Sequence, residues 1–357
     1  MVGIIAEYNP FHNGHLYHLK KIKEMFPDEV ITLVLAGHFL NRGDISIINK
    51  WDKTKIALTY GVDLVVELPF VFASQAADIY AYGAINILNN LKCNYIIFGS
   101  ELNDIEKLKD IALKLDKDKD IKEYLKLGYN YPTSIDKAYD TNLNSPNDLL
   151  GISYIKAINK LNSHIKPICI KRTNNYHSNK LDTICSATSI RNSLKDNIDI
   201  SKYIPDYSLN YIKNISLNDY FNYLKYQIIT NDISNYNLDI KLANSIKKNI
   251  LNVHSIDELI NKIKTKNYTY NYIKRSLVQV LCGIKKEDIN KKINYIRILG
   301  FNKKGQTYLN KIKKELKVPL IVKYNKLLDL ELKVTKIYSL VYGESIIKLE
   351  LNKPIIK

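Results

Sequence analysis

With 357 residues, the chain is long enough for one large domain or two ordinary ones. Apolar residues at 46% and charged residues at 25% make a globular composition, with no run of the roughly 18 apolar residues that a membrane span needs. The four cysteines (93, 169, 185, 282) are too scattered for a zinc ribbon or a disulfide framework. The formal charge of +17 is uneven: residues 1–100 sum to −1, 101–250 to +4 and 251–357 to +14. A basic half beside a neutral half points to a polyanion partner, although a chain this rich in Lys, Asn, Ile and Tyr also accumulates lysine through composition alone. The opening MVGIIAEYNPFHNGH has neither a basic lead nor a long apolar stretch, so no signal peptide is expected and the cytoplasm is the expected location.

In chain order, VGIIA (2–6) is a short apolar strand. GHLYHLKKIKEM (14–25) carries Leu16, Leu19, Ile22 and Met25 at helical spacing. EVITLVLAG (29–37) is a second strand, ISIINKWDKTKIALTYG (45–61) a helix stopped at Gly61, and VDLVVELP (62–69) a strand stopped by Pro69. QAADIYAYGAINILNNL (75–91) is helical, NYIIFGS (94–100) a strand, and 102–128 a solvated helix. SPNDLLGISYIKAINKLN (145–162) opens with good helix-start chemistry, KPICIKR (166–172) is a late strand, 174–184 a loop, and SATSIRNSLKDN (186–197) a capped helix. Strands alternating with helices predict an α/β fold: a Rossmann-like parallel sheet over residues 1–200, followed by a mostly helical, basic domain over 201–357.

In such sheets ligands bind beyond the carboxyl ends of the strands, where EYNPFHNG forms the first loop. Pro10 stiffens that loop, Gly14 lets backbone approach a ligand, and the following helix offers free N–H groups to phosphate. His12 and His15 add two donors that would offset charge on a leaving pyrophosphate. A metal pair is the other reading of two such histidines, but their spacing and companions do not suggest zinc. His18 is placed on the helix flank. Asp63 and Glu67, on either side of an apolar strand, and Asp52 and Lys53 receive no catalytic duty.

HNGH resembles the HxGH motif of the nucleotidyltransferase superfamily, and SATSIR (186–191) is similar to that superfamily's second ATP motif. EYNPFHNGHLYHL, AGHFLNRGD, DKTKIALTYGVDLVVELPF, ASQAAD, FGSE, SPNDLLGISYIKAI, SATSIR and RILGFNKKGQ follow in order, and together they resemble the tRNA(Met) cytidine acetate ligase family over residues 2 to about 310. The resemblance implies an ATP loop at residues 7–20: Glu7, Tyr8, Asn9, Pro10, Phe11, His12, Asn13, Gly14, His15, Leu16, Tyr17, His18, Leu19 and Lys20. It implies further ATP contacts at Gly99, Asn147, Arg172, Ser186, Thr188 and Arg191, with His12, His15 and Arg191 as the catalytic group. Asp148 competes with Asn147 for its match within SPND. AGHFLNRGD departs from the family's usual SGNFVQRGE, placing His38, Asn41 and Asp44 where Asn, Gln and Glu are usual. Arg42 is left to phosphate, to RNA backbone or to a pair with Asp44.

The activity implied is activation of acetate by ATP as acetyl adenylate, then acetylation of N4 of the wobble cytidine of elongator tRNA(Met). Activation is needed because acetate has no good leaving group and cytosine N4 is a weak nucleophile. Mg²⁺ is expected to accompany ATP, with no dedicated carboxylate cluster for it and no metal-ligand set. The acetate pocket has to be small, since one methyl is all it recognises. The resemblance also favours tRNA contacts by Arg275, Lys303 and Lys304, in the Lys- and Tyr-rich stretches KTKNYTYNYIKR (264–275) and KKINYIRILGFNKKGQ (291–306). Tyr268, Tyr270 and Tyr272 are candidates to stack on bases. The alternatives are a nucleotidyltransferase making a dinucleotide cofactor or CDP-alcohol, and a non-enzymatic RNA-binding protein. Pyrophosphate release from ATP with acetate separates them.

Overall fold

The structure, a computed structural model, describes residues 1–357 other than 118, 119, 128, 130, 140–144, 173–184, 267, 290 and 291. The loop expected at 174–184 lies outside the described residues. Five strands come from the first half: β1 (Val2–Ala6), β2 (Ile31–Ala36), β3 (Leu64–Leu68), β4 (Tyr95–Ser100) and β5 (Lys166–Lys171). Between and after them run α1 (Asn13–Met25), α2 (Lys50–Thr59), α3 (Phe70–Ala73), α4 (Ala77–Asn90), α5 (Ile105–Lys117), α6 (Asp120–Lys126), α7 (Tyr131–Tyr139), α8 (Pro146–Lys160) and α9 (Ala187–Lys195). The helix expected over 102–128 is seen as Ile105–Lys117 and Asp120–Lys126, with 118 and 119 outside the described residues. The helix expected from residue 45 begins at Lys50, because Asn49 caps it by accepting the N–H groups of Trp51 and Asp52.

β2 and β3 are buried at every position, as unbroken apolar runs require when helices cover both faces of a sheet. Successive side chains enter opposite layers. Leu33 and Leu35 pack with Leu19 and Ile22 of α1 and Ile56 of α2. Val34 and Ala36 pack instead with α4, α5 and α8. The strand order is β5-β4-β1-β2-β3, all parallel, so the winding reverses between β1 and β4. That reversal opens a crevice at the carboxyl edge, between the ends of these two strands.

The second half is largely helical: α10 (Asp206–Leu209), α11 (Phe221–Thr230), α12 (Ile240–Asn249), α13 (Ile256–Ile263), α14 (Tyr270–Leu281), α15 (Lys303–Ile312), α16 (Asp329–Tyr342) and α17 (Ser345–Leu351). Its core, around Leu224, Leu242, Leu259, Leu277 and Tyr338, also takes in Phe39, Ile45 and Phe70 from the first half. The sheet does not end at residue 200. β6 (Ile296–Phe301) returns to pair antiparallel with β3, and β7 (Leu320–Ile321) and β8 (Ile355–Ile356) pair with β6. The sheet is mainly parallel, as expected, and the one antiparallel strand covers an edge of β3 that would otherwise be open.

A buried ionic cluster joins the halves. Lys50 Nζ donates to Glu67 Oε1 at 2.6 Å and to Glu350 Oε1 at 2.8 Å. Arg297, on β6, donates to Glu67 Oε2 at 3.1 Å, to the Glu350 carboxylate, and to the Glu350 carbonyl at 2.9 Å. Glu67 is therefore a structural counter-ion.

Candidate active site

His12 is the N-cap of α1. Its Nδ1 accepts the Gly14 N–H at 3.0 Å, while the His12 N–H donates to His15 Nδ1 at 3.2 Å. This is a capping box built from two imidazoles, with ring centroids 3.9 Å apart. With each Nδ1 accepting, a neutral ring carries its proton on Nε2, leaving one N–H donor per histidine. Burial, then Arg172 and Arg191, lower the His12 pKa to about 3. Burial, then the neighbouring His12 ring and Arg172, hold His15 well below the ordinary range. Both rings are neutral at physiological pH and donate without adding charge. His18 joins them: burial and Arg172 lower it to about 4, and its Nε2 has no partner among the described residues.

The loop before α1 is tied down on several sides. Tyr8 is buried with φ 46°, and the Asn9–Pro10 bond is cis. Asn9 donates to the Ile45 carbonyl at 3.1 Å and accepts the Ile47 N–H at 2.8 Å. Glu7 accepts the Asn41 N–H at 2.8 Å. Lys53, buried on α2, donates to the carbonyls of Glu7, Ala36 and Gly37 at 2.7–2.9 Å. Lys53 thus gathers the exits of β1 and β2, and burial lowers its pKa to about 7. Sequence reasoning missed this role. The available signal was that Lys50 and Lys53 fall on the same helical face as Ile56 and Ala57.

Ser186 caps α9 by accepting the Ser189 N–H at 3.1 Å. Its hydroxyl is thereby committed to the cap, while Thr188 stands exposed. Arg191, one turn on, donates to the Asn9 carbonyl at 2.7 Å, so the two motifs meet across 182 residues of chain. At the end of β4, a Cβ on Gly99 would come within 3.1 Å of Arg172 Cγ, so glycine leaves Arg172 room to lie across the strand end. Arg172 pairs with Glu101 at 3.3 Å, and Glu101 accepts from Asn147 at 2.6 Å. Asp148 turns inward instead, accepting from the Ser100 hydroxyl and from the Leu102 N–H at 3.1 Å. The ambiguity within SPND resolves into Asn147 facing the cleft and Asp148 clasping β4 to α8.

These groups line one cleft of about 1560 Å³. From residues 7–20 it takes Glu7, Tyr8, Asn9, His12, Gly14, His15, Tyr17 and His18. The remainder turn elsewhere. Phe11 and Leu19 belong to the core, with Leu16 packed against it. Pro10 is buried behind the loop, Asn13 donates to the Lys202 carbonyl at 3.0 Å, and Lys20 is exposed. The helical period sends Leu16 and Leu19 to the sheet, so a contiguous ATP segment cannot present every side chain to one ligand.

The far wall is helical: Asn218, Asp257, Tyr270, Lys274 and Arg275. Asp44 pairs with Lys274 and lies 3.8 Å from Arg191, linking α14 to α9. Burial raises the Asp44 pKa, but Lys274 and Arg191 outweigh it and leave the carboxyl below its usual range. Gly43, at φ 74°, lets this loop dock on α14; a Cβ there would sit 2.6 Å from the Arg275 nitrogen. Lys303 and Lys304 lie elsewhere. β6 runs antiparallel to β3, so α15 begins at the amino edge, where Asn302 bonds Asp63 and Lys304 donates to the Glu29 carbonyl. Tyr268 and Tyr272 stack on each other, and the Tyr268 and Tyr270 hydroxyls are held by Asp239 and Asp257.

A family model described as HIGH Nucleotidyl Transferase matches residues 1–352. The tRNA(Met) cytidine acetate ligase of Caldicellulosiruptor saccharolyticus is 40% identical over 96% of this chain and 94% of that protein. The enzyme of that name from Bacillus subtilis is 38% identical over 95% and 92%. The crystal structure of Thermotoga maritima TmcAL (apo) superposes with a TM-score of 0.88 at 28% identity, covering 99% of both chains. The form bound with alpha-thio ATP gives a TM-score of 0.86 at 28% identity, over 99% of this chain and 98% of that one.

Proposed function

The chain belongs to the HIGH nucleotidyl transferases and, among them, to the tRNA(Met) cytidine acetate ligase family, and we propose that the cleft between its sheet edge and its helical half is where that reaction occurs. The protein is an ATP-dependent ligase that acetylates the wobble cytidine of elongator tRNA(Met). The observation that carries this reading is the meeting of HNGH and SATSIR through the Arg191–Asn9 hydrogen bond, at the crevice between β1 and β4.

ATP lies with its phosphates against the start of α1. The Nε2–H donors of His12 and His15 and the guanidiniums of Arg191 and Arg172 face it there. Acetate attacks the α-phosphorus, forming acetyl adenylate and releasing pyrophosphate, and the donors hold the growing charge on the leaving group. Neutral imidazoles suit this work: the triphosphate supplies the negative charge, and its arrival raises their pKa toward proton sharing. Cytosine N4 then attacks the acyl carbon and AMP leaves. Among the described residues no group of three His, Cys, Asp or Glu is gathered to hold a metal, so Mg²⁺ would arrive on the phosphates with much of its water shell.

The tRNA enters from the helical side, where Arg275 and Lys274 form the basic part of the wall and residues 251–357 carry +14 of the net charge. This divides the labour between an ATP-activating unit around residues 1–200 and an RNA-holding unit beyond, with β6 to β8 lent back to the sheet. ATP and tRNA place the reaction in the cytoplasm; no described helix is long and apolar enough to cross a membrane. The test is pyrophosphate release from ATP with acetate, then transfer of labelled acetyl to tRNA(Met). Release with nicotinamide mononucleotide, and none with acetate, would replace this reading with a cofactor-forming one.

A further inference from the structure

Tyr80 on α4 and Tyr154 on α8 are only 2% and 3% exposed, yet both line the cleft. Buried phenols normally find a hydrogen-bond partner, but neither hydroxyl has one in the protein among the described residues. Tyr80 lies in the first turn of α4, a helix whose N-cap, Ala76, supplies no side-chain bond. Ala76, Ala77 and Asp78 also line the cleft, so the start of a 14-residue helix with no side-chain cap stands at its wall, and the Ala77 and Asp78 N–H groups are its orphan donors. Asp78 does not fill it: its carboxylate turns to α8, accepting from Ser153 at 2.9 Å and Lys156 at 3.4 Å.

We propose that this recess between α4 and α8 is the acetate pocket, with the Tyr80 and Tyr154 hydroxyls and the first N–H groups of α4 as the donors to the carboxylate. The proposal rests on the ligase reading above and names a substrate site within it. A carboxylate only accepts hydrogen bonds, and all the groups offered here donate. Burial raises both phenol pKa values, so the protons stay on oxygen at any working pH. Glu7, a carboxylate felt by both rings, accepts the Asn41 N–H and is attracted by Lys53 and Arg42. Phe98, with its ring 5.8 Å from that of Tyr154, and Leu150 supply apolar wall for one methyl group. Phe98 is one residue from Gly99, so the recess adjoins the crevice that takes the α-phosphate. There an acetate oxygen forms the new O–P bond as the bond from phosphorus to the bridging oxygen of pyrophosphate breaks.

Acetate-dependent ATP–pyrophosphate exchange by the full chain tests this. In Tyr80→Phe and Tyr154→Phe, which keep ring and packing, the KM for acetate should rise about tenfold or more, as expected for a lost hydrogen bond to a charged group. The KM for ATP should stay within about twofold, and the double variant should lose more than either single one. Tyr154→Ala should raise the use of propionate relative to acetate. An unchanged acetate KM in both phenylalanine variants, or an equal rise for ATP, overturns the assignment. Wild-type protein without acetate-dependent exchange would instead overturn the ligase reading itself.

Discussion

Replacing His15 by Ala removes two things at once, and the structure lets them be separated. The first is the Nδ1 acceptor that holds the His12 N–H at 3.2 Å, half of the capping box on α1. Loss of a cap costs about 0.5–2 kcal/mol. His12 still accepts the Gly14 N–H, which keeps the loss toward the lower end, and the protein should remain folded. The second is the Nε2–H donor that the proposed reaction sets against the departing pyrophosphate. Removing one preorganised donor of this kind slows kcat by about 10²–10³-fold. Acetate-dependent pyrophosphate exchange reads the second effect and thermal unfolding the first. The pH profile adds a sign check. A lowered histidine pKa keeps the neutral form dominant above it, and for His12 that is above about 3. The profile of kcat/KM, which reports the free enzyme, should therefore show no histidine inflection near 6.5. A folded His15→Ala protein within tenfold of wild-type exchange would refute the assignment. So would a wild-type inflection near 6.5 that disappears in the variant.

Arg297→Ala leaves Glu67 and Glu350 buried with Lys50 as their remaining cation, which should cost about 3–5 kcal/mol in denaturant unfolding. Burial raises the Glu350 pKa, but Lys50 and Arg297 outweigh it and hold the carboxyl low, so wild type loses this contribution only as pH falls below 4.5. Without Arg297 the Glu350 carboxyl protonates earlier, and the variant's deficit should shrink between pH 7 and 5. Glu331→Gln works in the opposite direction: burial, then Glu67, raise the Glu331 pKa to about 8, so wild type loses stability as pH rises from 4.5 toward 8. Gln keeps an acceptor for the Phe70 N–H, and its unfolding midpoint should exceed wild type by more at pH 8 than at pH 6. Arg275→Ala should weaken tRNA retention and reduce the salt slope by about one unit, while exchange with acetate changes little. Equal loss of both activities would mean that Arg275 acts through the packing of α14.

The sequence alone determined the strand–helix alternation up to α9, because each element carries its own local instructions. Both-face burial of β2 and β3 writes unbroken apolar runs, and Ser145–Pro146 and Ser186 start helices, whereas the start of α2 reads too early, at residue 45 instead of after its cap, Asn49. HNGH and SATSIR were legible for the same reason, since each is a short motif on a single helix start. What joins distant segments was not legible. β6 reads as part of a basic stretch, and only its partner β3 makes RILGF a strand and Arg297 the counter-ion of Glu67, 230 residues away. Where Lys303 and Lys304 sit was equally hidden: the antiparallel run of β6 carries them to the amino edge, away from the cleft. Tyr80 and Tyr154 occupy ordinary apolar positions in their helices. They line one cleft only because α4 packs on α8, and no local pattern encodes which two faces will come together.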